Sequence, residues 1–298
     1  MSCVAFFSSG IGNFIEYTPA LRALASMHSD KITLCINNNN DPRYTDLLCL
    51  MKAMPFISEV ISLEECKKRK FDEYFYTTWT CGGDAYNYFK SKHPYSDEQW
   101  NHEKTHETDY YFSIVKKYYG YTGKKPEQYC PYTPMEKDTT KIRIGVCNGG
   151  FGNIAVMKKW NYFPQLCGTL KGWYGNDIEL VKVGYYKELS NVNVYDVDYA
   201  GHTMLENATM INSLDLFITT DTGNMHIADA LKVPMIVLWG GTSFVKNRPI
   251  NGTANIIRKH FPCQPCHNDG TYMQCNKIEC LQSITVGEVF REVRKKLL

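Results

Sequence analysis

The stretch from Asp215 to Thr242, DLFITTDTGNMHIADALKVPMIVLWGGT, leaves few folds open to this chain. Leu216–Ile218 and Met235–Trp239 are short apolar runs with β propensity. Between them Asp221-Thr222-Gly223 has turn and N-cap chemistry, and Met225, Ile227, Ala228 and Leu231 give an apolar helical face that Pro234 terminates. A strand–turn–helix–strand unit presents free backbone N–H groups and the positive end of a helix dipole at the carboxyl edge of a parallel sheet. That edge suits an anion such as phosphate. Asp221 would repel phosphate and is better placed to accept hydrogen bonds from N–H groups or sugar hydroxyls. His226, about one helical turn beyond Thr222 and Gly223, adds a donor on the same face. An ordinary N-capped helix with a satisfied internal histidine would read the same way on spacing alone.

The rest of the chain repeats the theme. Cys3–Phe7 reads as a buried strand, and Gly10 and Gly12 let the following loop approach a ligand closely. Thr18–Met27 has helix-forming composition with Pro19 at its start. Lys31–Ile36, Ile57–Ile61 and Phe71–Tyr76 read as strands, with Asp46–Met54 helical, so strand and helix alternate as in parallel units. Lys124–Thr140, rich in proline and polar residues, reads as a linker. A fresh strand at Ile142–Cys147 then leads into the glycine-rich loop Asn148–Asn153. Gly149 and Gly150 in that loop can form a nest for phosphate, with Lys158 as a point charge. Ile178–Gly184 is a further strand, and Ile284–Leu298 a closing helix.

These residues carry a family resemblance. Asp221, Thr222, Gly223, His226, Ala228, Ala230, Leu231, Pro234, Gly240 and Thr242 resemble the C-terminal signature of glycosyltransferase family 9, the heptosyltransferase-like enzymes. Gly10–Leu24, Lys158-Lys159-Trp160 and Asp196–Ile211 resemble further family motifs; Asn148-Gly149 departs from the usual Pro-Gly. The resemblance implies a GT-B fold, with two Rossmann-like α/β domains facing across a cleft. Its boundaries here fall at 1–135 for the acceptor side, 136–280 for the nucleotide-sugar side, and 281–298 for a helix crossing back to the first domain. It further implies inverting, metal-independent transfer of a heptose or other sugar from a nucleotide diphosphate sugar to a hydroxyl. Gly149, Gly150, Lys158, Asp221, Thr222, Gly223 and His226 would hold that donor. Gly10, Gly12 and Tyr86, the last with Trp79 in a tyrosine-dense region, would face the acceptor.

Inversion in one displacement needs a base for the acceptor hydroxyl. Where the family's best-known members have an aspartate, this chain has Asn13, whose amide cannot take a proton. Glu16 is the nearest carboxylate and the expected base, unless it only serves the following helix. A transferase acting on modified DNA bases, or a non-catalytic sugar-nucleotide-binding module, stays open as an alternative. The net charge of +2 favours a glycan over DNA as acceptor. No apolar run approaches the ~18 residues of a membrane span and the amino-terminal run lacks signal-peptide character, so a cytoplasmic location is expected. Most of the twelve cysteines are scattered, as reduced thiols are. Cys263, Cys266, Cys275 and Cys280 are dense enough to be candidate ligands of a structural Zn²⁺. No cofactor is expected for catalysis. The literal H-E-x-x-H string at His102–His106 has polar flanks unlike a zinc-protease helix and reads as chance.

Overall fold

The computed structural model describes residues 1–29, 31–37, 42–77, 83–92, 100–149, 156–184, 194–266, 270, 275 and 277–297. They form two compact units, Met1–Pro131 with Thr203–Leu205, and Tyr132–His202 with Glu206–Leu298.

The first unit runs β1 (Cys3–Phe7), α1 (Ile11–Met27), β2 (Ile32–Ile36), α2 (Pro42–Lys52), β3 (Ile57–Ser62), α3 (Leu63–Lys67), β4 (Glu73–Phe75), α4 (Gly83–Lys92) and α5 (Glu107–Tyr119). Its sheet is parallel in the order β3-β2-β1-β4. Every residue of β1 and β2 is buried, which is why both are continuous apolar runs without alternation. The helix expected from Thr18 begins instead at Ile11, so Pro19 lies inside it. Proline removes the amide that would bond the Ile15 carbonyl, but the Thr18 hydroxyl donates to that carbonyl at 2.7 Å and lets the helix run through. The stretch His102–Thr105 lies in turns, and only His106 reaches α5, as its N-cap. The H-E-x-x-H string therefore has no helix to place two histidines on one face.

The second unit runs β5 (Ile142–Cys147), α6 (Phe163–Tyr174), β6 (Ile178–Gly184), β7 (Val197–Ala200), α7 (Met204–Asn212), β8 (Leu216–Thr220), α8 (Gly223–Ala230), β9 (Met235–Trp239), α9 (Phe244–Asn247), β10 (Ala254–Arg258), α10 (Glu279–Gln282) and α11 (Val286–Leu297). All pairings are parallel, in the order β10-β9-β8-β5-β6-β7. Connections run one way from β5 through β6 to β7 and the other way from β8 outward. The β5–β8 boundary is thus the topological switch point where such sheets open for a ligand. No described helix is long and apolar enough to cross a membrane.

The buried face of α11 serves this second unit. Its Val289 and Val293 join Trp160, Phe163 and Leu170 in one core. Glu288 and Thr285 form a capping box at its start: the Glu288 carboxylate accepts from the Thr285 N–H at 2.8 Å, and the Thr285 hydroxyl accepts from the Glu288 N–H at 3.2 Å. Lys259 also bonds this carboxylate and, with Thr285, pulls it from its ordinary 4.5 to about 2 against the effect of burial. A depressed carboxylate stabilises the fold above its ordinary value and loses that contribution as pH falls through its folded value. Discounted for its partial exposure, the contribution is ~1 kcal/mol. The melting temperature should therefore fall on acidification from about pH 5 to about pH 2, and Glu288→Gln should flatten that part of the curve. An unchanged acid limb in the variant would remove Glu288 from the account.

Candidate active site

The switch point of the second unit gathers the donor-side candidates. β5 ends in Cys147, and the chain turns through Asn148 and Gly149 at the carboxyl edge. Asn148 clasps Trp160 by both ends of its amide, accepting from the Trp160 N–H at 2.8 Å and donating to its carbonyl at 2.9 Å. Gly149 sits at φ 90°, where a side chain would strain the backbone, and its N–H donates to the Thr220 hydroxyl at 3.2 Å. Gly150 and the rest of the loop through 155 lie outside the described residues. The chain re-emerges in a short 3₁₀ turn, Val156–Lys158, that carries the lysine.

Asp221 meets Lys158 across this edge. Its carboxylate lies 3.0 Å from the Lys158 ammonium and 3.9 Å from His226 Nε2. Asp221 and His226 are each only 3% exposed. Burial alone would push the Asp221 carboxyl up, but Lys158, His226 and the Thr242 hydroxyl outweigh it and hold it below its ordinary value. The carboxylate is therefore ionised and fixes the lysine, whose ammonium has three donors and keeps some for a further partner. Thr222 caps α8, its hydroxyl accepting from the Met225 N–H at 3.2 Å. Gly223 opens that helix, so its first turn points at the same edge.

The spacing rules miss what holds Lys158 in place. A Cβ on Gly240 would come 3.3 Å from the Met157 carbonyl, and one on Gly241 would meet Met157 Cε and Cys266 Sγ at 2.7 Å. The Gly-Gly after β9 is thus a close-packing seat for the turn that carries Lys158.

In the first unit, the loop after β1 also lies at a switch point, between β1 and β4. Gly10 is the N-cap of α1 and contributes no side-chain cap; Gly12 lies in the first turn. Asn13 is half-buried and pinned at both ends: Ser9 Oγ donates to its carbonyl at 2.8 Å, and its amide donates to Glu107 at 2.5 Å. The Tyr111 hydroxyl donates to the same Glu107 oxygen. Glu16 is fully buried, with His106 Nε2 at 3.6 Å. The other histidine nitrogen accepts from the Thr108 N–H, so the proton belongs on the nitrogen facing Glu16. Glu16 thereby orients the residue that caps α5. Glu107 was invisible from sequence because α5 brings it to Asn13 across 94 positions. Tyr86 packs against Tyr76 and takes the Lys90 ammonium on its own helix, while Trp79 lies outside the described residues.

Cys263 and Cys275 are exposed and Cys266 and Cys280 buried. Burial, with the neighbouring Cys266, Cys275 and Cys263, pushes the Cys280 thiol up to about 11. Cys266 donates to the Gly241 carbonyl at 3.7 Å. Among the described residues, no three of these sulfurs come within 4.8 Å of one another. The four thus neighbour one another without forming a closed metal set.

The model of glycosyltransferase family 9 (heptosyltransferase) matches residues 182–277. A lipooligosaccharide heptosyltransferase 2 of Campylobacter jejuni is 30% identical over 82 residues, 27% of this chain and 25% of that enzyme. The match thus spans about a quarter of the curated relative. Two solved structures align along the whole chain. A glycosyl transferase of family 9 from Veillonella parvula is similar at TM-score 0.78 and 17% identity, over 99% of this chain and 97% of that one. The E. coli ADP-heptose LPS heptosyltransferase II is similar at TM-score 0.72 and 16% identity, over 100% and 98%. The resemblance read from the sequence is met by the family model over residues 182–277, which hold the C-terminal signature, and the solved structures share the GT-B fold along the chain.

Proposed function

We propose that this chain is a glycosyltransferase that moves a sugar, with inversion, from a nucleotide diphosphate sugar to a hydroxyl of a glycan acceptor. The observation that carries this reading is the buried Lys158–Asp221 pair at the switch point of the second sheet. It presents a fixed cation beside the start of α8, where a diphosphate needs charge and N–H donors. The acceptor oxygen forms its bond to the anomeric carbon as the bond to the diphosphate breaks. Lys158 and the N–H groups after Asp221 take up the leaving group's charge, so the step itself requires no metal. Asp221 and His226 orient the donor.

The acceptor proton goes to a carboxylate behind Asn13. Glu16, expected from sequence, is committed to His106, whereas Glu107 is bonded to Asn13 itself. We assign the base to Glu107, with the Asn13 amide holding the position that an acceptor hydroxyl takes over as donor. Asn13 thus positions the acceptor without taking its proton. Gly10 and Gly12 leave room for this approach.

ADP-heptose, the donor in the name of one solved relative, heads the panel of nucleoside diphosphates and nucleotide sugars to be tried in a thermal-shift experiment. A ligand bound to the folded state at 100-fold its Kd adds about 2.7 kcal/mol and raises the melting temperature accordingly. One nucleotide sugar should shift the wild type and fail to shift Lys158→Ala. A panel that shifts nothing would reduce the resemblance to fold alone. Binding without turnover over glycan acceptors would favour a sugar-nucleotide-binding module, and turnover stimulated by DNA would make DNA the acceptor.

A further inference from the structure

The amino edge of the first sheet, opposite the Gly10–Asn13 loop, holds a second constellation. Cys3 and Glu73 begin β1 and β4 and are register partners, so their side chains leave the same face of the sheet. α1 crosses that face and ends with His28 as its C-cap. Cys3 and His28 are buried, and the Glu73 side chain is 30% exposed. One sulfur, one ring nitrogen and one carboxylate oxygen from these three residues all lie within 4.8 Å of one another.

The protons of His28 sharpen the picture. Nδ1 lies 2.7 Å from the Leu24 carbonyl, which can only accept, so Nδ1 carries a proton. Nε2 lies 3.1 Å from Glu73 Oε2. In neutral imidazole, two lone pairs would then face each other at that distance. Either a second proton or a cation must lie between them. A proton would account for the pair but not for the Cys3 thiol turned into the same space. An imidazole whose far nitrogen is tied to a backbone carbonyl is also the arrangement by which proteins orient a metal-bound histidine. We propose that Cys3, His28 and Glu73 form a Zn²⁺ site that staples the starts of β1 and β4 to the end of α1, with water completing the coordination on the exposed side of Glu73. A mixed thiolate, imidazole and carboxylate set is borderline-soft chemistry that suits zinc over calcium or magnesium. The site lies about one strand length from the Gly10–Asn13 loop and does not depend on the reaction proposed above.

The test uses the full chain with Cys263→Ser and Cys275→Ser, which removes the exposed thiols of the tail. After chelation and titration with ZnCl₂, one equivalent should remain through desalting and raise the melting temperature. Cys3→Ser and Glu73→Gln should each weaken binding by at least ~10-fold and abolish the thermal gain. Co²⁺ in place of Zn²⁺ should give a thiolate charge-transfer band that Cys3→Ser removes. The band itself is read on the full chain with Cys3, His28 and Glu73 unaltered, so its presence or absence tests the site even if a substituted chain fails to fold. No zinc retained by the tail variant, zinc unaffected by Cys3→Ser and Glu73→Gln, or a cobalt complex without the thiolate band would each overturn the site.

Discussion

Lys158→Met is expected to abolish nucleotide-sugar binding and to lower the stability of the folded chain by about 3 kcal/mol, the low end for removing one partner of a buried ion pair. The low end applies because the Lys158 side chain is 14% exposed, so water screens part of the charge left behind. Asp221 is then a nearly inaccessible carboxylate without its main counter-charge, and burial pushes its pKa up. The pH dependence should therefore invert. In the wild type Asp221 is held low, so its contribution is present above the ordinary carboxylate range and is lost as acid protonates it. In the variant, protonation relieves the buried charge, and stability should recover as pH falls from neutrality toward the ordinary carboxylate range. Lys158→Met with Asp221→Asn removes both charges and should regain most of the stability but none of the donor binding. Melting curves over this pH range, with and without nucleotide sugar, decide it. A double variant that binds donor as the wild type does would end the role given to Lys158.

The strands were legible because parallel strands are buried on both faces and appear as apolar runs. Cys3–Phe7, Ile142–Cys147 and Met235–Trp239 have the same bounds in the sequence reading and in the structure. The cap at Thr222 was legible for a similar reason, since its chemistry is local. What stayed hidden depends on contacts across long separations or on compensation. The early start of α1 needed the Thr18 hydroxyl to excuse a proline. Edge strand β10, Ala254–Arg258, is half-buried throughout and carries two polar residues, so no apolar run announces it. The seat of Lys158 depends on Gly240 and Gly241 packing against Met157, about eighty positions away in sequence. The candidate donor residues lie mostly in one segment and are legible together, whereas Glu107, the base proposed above, reaches Asn13 only through α5, 94 positions away.

Glu107→Gln is expected to cost ~10²–10⁴ in kcat, the range for removing a positioned general base, with little change in KM for the donor. The substitution keeps the shape of the side chain and still offers Asn13 and Tyr111 an oxygen, so the fold should hold. Glu16→Gln should show the opposite pattern. It disturbs the partner of His106 and hence the cap of α5, which lowers stability by a cap's ~1 kcal/mol while leaving kcat within about tenfold. Asn13→Asp gives a third, counter-intuitive arm. It places a carboxylate at this position, but 2.5 Å from Glu107 two carboxylates cannot both ionise, and the pair would share a proton. Activity should then fall near neutrality and recover only as pH rises and the shared proton leaves. Single-turnover rates across pH for the three variants separate these readings. A slow Glu16→Gln beside a normal Glu107→Gln would return the base to Glu16, and an Asn13→Asp enzyme fully active at neutrality would show that Glu107 is not its electrostatic partner.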